Sequence, residues 1–330
     1  MAEIIMGIGT SHTPLLTFEA TRWQDYVQRD YKSERLNTSD GRWLTYKQLE
    51  DEVQAKYASV ATLDHFRSKQ DVCQRSLDRL GEDIAKADPD VVVIITDDET
   101  ELFTRQNTPA VSVYYGEEII THPRKPPEQV PGFFETMLKT YAMDKPHTFP
   151  AMAGFARELI ERLIEHDIDI GAASQIDDPH RSGFGHGVGF VVTRIFGDKR
   201  IPVVPVLLNT YYPPNVPKPA RCHDIGRALR HAIEASPEKL RVAVLASGGL
   251  SHFTVDEKLD RRVLEGFEPG KAELLRTLPV PALNSGSSEI RNWIALAGAI
   301  EGMTNRWLEY QPLYRTPAGT GIGVAFGIWS

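Results

Sequence analysis

Three almost unbroken apolar runs, Val91–Thr96, Ile201–Leu208 and Val242–Ala246, constrain this chain more than any other feature. A strand with no polar alternate positions has no face to give to water, so it must be covered on both sides, as in helix-covered parallel sheets. Ile4–Ile8, Ala110–Tyr114, Ile168–Ala173 and Gly321–Trp329 are further strand candidates. Helical patterns lie between them. From Thr62 to Ala87 the apolar positions Phe66, Cys73, Leu77, Leu80 and Ile84 keep helical spacing, with Thr62 as the N-cap. Pro150–Glu165, Ala220–Ala235 and Ser288–Glu301 read the same way. Strands alternating with helices predict an α/β fold, a single domain with a mostly parallel or mixed central sheet covered by helices. One stretch breaks the alternation. Residues 19–61, rich in charge and aromatics (Trp23, Tyr26, Tyr31, Trp43, Tyr46, Tyr57), are too long for a connection and read as an inserted lid or assembly segment, with a homodimer contact as one use.

Composition closes off several classes of function. A hydrophobic fraction of 41% and a charged fraction of 25% are those of a globular protein. A net charge of -8 without a basic cluster argues against nucleic acid. No apolar run approaches the length of a membrane span, and the start, Met1-Ala2-Glu3-Ile4, lacks a signal-peptide pattern, so a cytoplasmic protein is expected. Cys73 and Cys222 have no partner spacing and are expected as reduced thiols.

The chemistry-bearing residues gather after strands. His12, in Ser11-His12-Thr13-Pro14, follows the first strand, and Pro14 fixes the turn beyond it. His252 follows Val242–Ala246 through Gly248-Gly249, a pair that lets backbone approach a ligand closely. His186 sits among Gly183, Gly185 and Gly187. Glu289 opens a helical run behind Ser285-Gly286-Ser287-Ser288, where it serves as a dipole partner or as a ligand. Asp97-Asp98-Glu99-Thr100-Glu101 packs four acids at a strand end, a solvated turn unless a cation compensates them. Each residue alone has an ordinary structural use. Together, at strand ends of an open α/β sheet, they point to one ligand rim. Histidines with a carboxylate suit non-haem Fe(II), whose coordination leaves positions open.

These motifs, with Val203-Val204-Pro205 through Asn209-Thr210-Tyr211 and Glu289-Ile290-Arg291-Asn292-Trp293, resemble the class III extradiol ring-cleavage dioxygenases, the family of the protocatechuate 4,5-dioxygenase catalytic subunit. The likeness runs from residue 4 to the C-terminus and is closest to the 3-O-methylgallate dioxygenase branch. It implies Fe(II) held by His12 and Glu289, with His252 as acid/base and His186 as a further active-site group. It also implies a small aromatic acid and O2 as reactants. One position departs. The family's second iron-binding histidine follows the aspartate ending the second strand, whereas here Glu99 follows Asp98. Either Glu99 binds the metal or another histidine does, and His65, in the first turn of the helix leading into that strand, is the preferred substitute. The same departure leaves room for a zinc-dependent enzyme or a metal-binding interaction protein of the superfamily. Arg22, Arg124 and Arg315 are the cations seen beside loops for a substrate carboxylate.

Overall fold

The computed structural model describes residues 1–125 and 132–330, so Pro126 and Pro127 of the Pro-rich stretch from His122 lie outside it. One nine-stranded sheet forms the centre. Its strands are β1 (Glu3–Thr10), β2 (Val91–Asp97), β3 (Val111–Tyr114), β4 (Gly171–Ala173), β5 (Val203–Leu208), β6 (Arg241–Ser247), β7 (His252–Thr254), β8 (Asn305–Tyr314) and β9 (Thr320–Trp329). The order is β4-β3-β5-β2-β6-β1-β9. β8 pairs along one edge of β9, and β7 shares the other edge with β1. The four central strands β1, β6, β2 and β5 are parallel, whereas β3 and β9 join them antiparallel. The sheet is therefore mixed with a parallel heart.

The continuous apolar runs are explained by cores on both faces. Four helices supply most of the cover: α1 (Leu63–Ala87), α2 (Ala153–Glu165), α3 (Pro219–Glu234) and α4 (Ile290–Ala299). Val91, Val93 and Ile95 face α2, α3 and α4, while Val92 and Ile94 face α1. In β1 a register shift between Ile4 and Met6 turns these two residues to opposite cores. Thr62 caps α1 as its sequence predicts, accepting the His65 backbone N–H at 3.4 Å. Both cysteines are buried and free. No helix of the described residues is long and apolar enough to cross a membrane.

The 19–61 segment is laid over the domain. Helix Trp23–Asp30, hairpin Leu36–Asn37 with Trp43–Leu44, and helix Tyr46–Val53 make up most of it. Trp23 packs on Phe66 of α1 at 5.4 Å between rings, and Leu36, Leu44, Tyr46 and Leu49 form a small core with Ala318. Asp30 ties the segment down by accepting both Nε (2.7 Å) and NH2 (2.9 Å) of Arg315. The sequence pattern also misses β8. Its partly exposed edge face and Pro312 give it neither an apolar run nor clean alternation.

Candidate active site

Because β1, β2, β5 and β6 run parallel, their carboxyl ends share one rim, and the loops leaving them deliver His12, the Asp97–Glu101 acids, Tyr211 and His252 to one place. Glu289 arrives from the short turn of helix before α4, and His186 opens a short helix, His186–Phe190. These residues surround a cavity of about 520 Å³ that also takes one wall from the inserted segment.

Glu289 is the hub. Its Oε1 accepts the Tyr211 hydroxyl at 3.0 Å and lies 3.1 Å from His252 Nε2. Its Oε2 accepts the Gly249 backbone N–H at 2.6 Å and lies 3.2 Å from His12 Nε2. His12 is oriented by its other nitrogen, Nδ1, 2.9 Å from Ser247 Oγ, and its carbonyl accepts the Tyr141 hydroxyl at 2.6 Å. His252 Nδ1 faces the Leu250 carbonyl at 2.8 Å. A carbonyl only accepts, so Nδ1 carries a proton and Nε2 is the nitrogen that turns to the cavity. Gly286 is required beside it, since a Cβ there would stand 1.8 Å from the His252 ring.

Two potential ligand atoms here, His12 Nε2 and Asp97 Oδ2, are buried without a hydrogen-bond partner. The short approach of His12 Nε2 to Glu289 lacks hydrogen-bond geometry, and the other Asp97 oxygen is held by the Asn292 amide at 2.9 Å. Buried polar atoms of this kind are rare and call for an unseen partner. Ligand atoms of His12, Asp97 and Glu289 all lie within 4.8 Å of one another, as do those of Asp97, Glu99 and His186. The electrostatics agree. Burial, then the Glu289 charge, pushes Asp97 well above the usual carboxylate range, and burial lowers His12 against the pull of Glu289. A cation placed between them would satisfy both orphaned atoms and reverse the strain on Asp97. One nitrogen and two carboxylate oxygens suit a divalent first-row metal, and the residues present therefore fit one.

The second histidine corner is closed on itself. His186 Nδ1 lies 2.9 Å from Glu101 Oε1, which also accepts the Arg124 guanidinium at 3.0 Å, while Oε2 accepts the Glu99 backbone N–H at 2.9 Å. Burial opposes the charge on both partners, yet their attraction prevails: His186 is pushed up to about 10 and Glu101 down to about 2. Gly185 permits the contact, since a Cβ would stand 2.1 Å from the Glu101 carboxyl carbon. The His186 and His12 rings meet edge to face at 4.7 Å.

The structure thus brings His12, Glu289, His252 and His186 together, with Glu99 on the cavity wall. It does not bring His65 there. α1 packs against β1, β8, β9 and the 14–22 segment, and His65 in its first turn is half-buried and outside every potential metal cluster of the described residues. The third donor within reach of His12 and Glu289 is Asp97. Asp98, by contrast, accepts the Leu102 (2.8 Å) and Phe103 (3.1 Å) backbone N–H groups and shapes the loop. The density of acids at 97–101 was the signal for Asp97. Tyr211 and Asn292 lie in segments that carry the family resemblance without being singled out there, whereas Tyr141 and Ser247 gave no signal, because only the topology makes them neighbours. Of the arginines, Arg22 lies at a separate surface cavity, whereas Arg124 and Arg315 line this one but hold Glu101 and Asp30.

Residues 58–325 match the family described as the catalytic LigB subunit of aromatic ring-opening dioxygenase. A gallate dioxygenase of Pseudomonas putida is 31% identical over 132 residues, 37% of this chain and 38% of the relative. A 2,3-dihydroxyphenylpropionate/2,3-dihydroxicinnamic acid 1,2-dioxygenase of Comamonas testosteroni is 27% identical over 139 residues, 38% of this chain and 41% of the relative. Its namesake from Azotobacter vinelandii is 33% identical over 106 residues, 32% of each chain. These matches span well under half the length of the curated relatives. The family match, by contrast, covers most of the chain and includes every residue of the cluster except His12: the chain belongs to the family of the catalytic LigB subunit of aromatic ring-opening dioxygenases.

Proposed function

We propose that the chain is an Fe(II)-dependent extradiol dioxygenase that opens the ring of a carboxylated, methoxylated catechol of the 3-O-methylgallate type with O2, in the breakdown of lignin-derived aromatics. The observation that carries this reading is the pair of orphaned buried atoms, His12 Nε2 and Asp97 Oδ2, beside Glu289 in one cavity. The relatives' names support the substrate class, since gallate and 2,3-dihydroxyphenylpropionate are both hydroxylated aromatic acids.

His12, Asp97 and Glu289 hold the metal, with Glu99 as the further carboxylate near Asp97. Bound there, Fe(II) would supply a Lewis-acid centre with positions open to a diol and O2. His252, its Nδ1–H fixed on the Leu250 carbonyl, presents Nε2 to take a phenolic proton and return it as the ring opens. His186, anchored through Nδ1 by Glu101, leaves Nε2 to donate to a reactant oxygen. Met137, Leu138 and Tyr141 close an apolar side of the cavity and limit water.

The test is anaerobic loading with Fe(II), then oxygen uptake on a panel of catechols and gallates. Stoichiometric iron with substrate-dependent uptake is expected. Tight zinc without uptake would instead favour the zinc-dependent or interaction-protein reading that Glu99, in the family's histidine position, keeps open.

A further inference from the structure

The cavity's floor and its wall carry opposite charge. Asp97, Glu99, Glu101 and Glu289 cluster at the rim of the sheet. Across the cavity the inserted segment presents Arg29, at the end of helix Trp23–Asp30, and Arg35, just before the hairpin. The cavity's other two arginines among the described residues are spent: Arg124 on Glu101, and Arg315 on Asp30. Arg29 and Arg35 have no carboxylate partner among the described residues. Each instead rests on an aromatic ring, Arg29 over Tyr26 at 5.3 Å and Arg35 over Trp43 at 4.7 Å. Stacking of this kind holds a guanidinium in place while leaving its N–H edge free for an oxyanion.

We propose that Arg29 and Arg35 form the subsite that binds the substrate's carboxylate, so that this inserted segment sets the selectivity for aromatic acids. The inference rests on the function proposed above and adds the residues that read the substrate. One observation supports it beyond the arginines themselves. The acidic floor repels a carboxylate, whereas the exposed wall attracts it, so an aromatic acid enters with its diol toward His12 and Glu289 and its carboxylate toward Arg29 and Arg35.

The experiment is anaerobic calorimetry of the Fe(II)-loaded full chain with gallate and with its neutral methyl ester, in wild type, in R29Q and R35Q, and in the double variant. Wild type should prefer gallate. The double variant should bind gallate about ten- to a hundredfold more weakly, the loss expected for charge-assisted hydrogen bonds. Its affinity for methyl gallate should not change, and each single variant should fall between. Melting temperatures equal to wild type show that the wall remains folded. Unchanged gallate affinity, or an equal fall for both ligands, overturns the subsite. Wild type that binds both ligands alike overturns the subsite alone. Wild type that binds neither, with no oxygen uptake on any catechol, overturns the proposed function and the subsite with it.

Discussion

Glu101 and Glu289 are both buried carboxylates, 2% and 4% exposed, and each sits against a histidine at the same rim. Their surroundings differ in one respect. Glu101 is complete: an imidazolium, a guanidinium and a backbone N–H occupy it, and no orphaned atom lies on its histidine. Glu289 gathers a hydroxyl, a backbone N–H and two histidines, yet it borders His12 Nε2 and Asp97 Oδ2, which have nothing to bond. A saturated carboxylate orients its neighbour. A carboxylate among unsatisfied atoms has the surroundings of a candidate metal ligand.

The largest effect should come from the unsatisfied corner. Glu289→Ala should abolish both metal binding and turnover, read as iron per chain after anaerobic loading; retention of full iron would break the contrast. His252→Ala comes next, with turnover lowered about 10²- to 10⁴-fold and iron content kept, as for loss of a general acid/base. Equal iron loss in the two variants would contradict the division of roles. Glu101→Gln should retain iron and lower turnover about ten- to a hundredfold, because His186 loses its anchor.

The same variant carries a pH signature in the metal-free protein. Glu101 falls from 4.5 to about 2 on folding, so its contribution is present above pH 4.5 and lost as the pH falls toward 2. His186 rises from 6.5 to about 10, so its contribution is present below pH 6.5 and lost as the pH rises toward 10. The pair therefore stabilises most between pH 4.5 and 6.5. Thermal melts of wild type and Glu101→Gln should differ most in that window, and parallel curves across it would discard the ion pair. Smallest of all, His65→Ala should leave iron and activity unchanged.

The fold was legible because its signal is local. Val91–Thr96 and Val242–Ala246 cannot face water, and the helices that cover them announce themselves by spacing and by caps such as Thr62. The edge strand Asn305–Tyr314 was not, because one face is partly solvated and its pattern is mixed. At the site, His12, His186, His252 and Glu289 were legible as residues that follow or precede rim elements. His65 satisfied the same criterion and still lies elsewhere, since sequence gives height along the sheet normal to the rim but not lateral position around it. Asp97 against Asp98 turns on which face of β2 a side chain leaves, a distinction that adjacent acids conceal. Tyr141, Arg29 and Arg35 became neighbours of the cluster only through tertiary packing, and no local pattern marks such proximity.

In the proposed centre, His12, Asp97 and Glu289 share one ferrous ion. Anomalous diffraction at the iron edge from anaerobically loaded crystals tests it most directly. One peak touching His12 Nε2, Asp97 Oδ2 and a Glu289 oxygen is expected; a peak at His65, or none in this cavity with iron bound elsewhere, would contradict it.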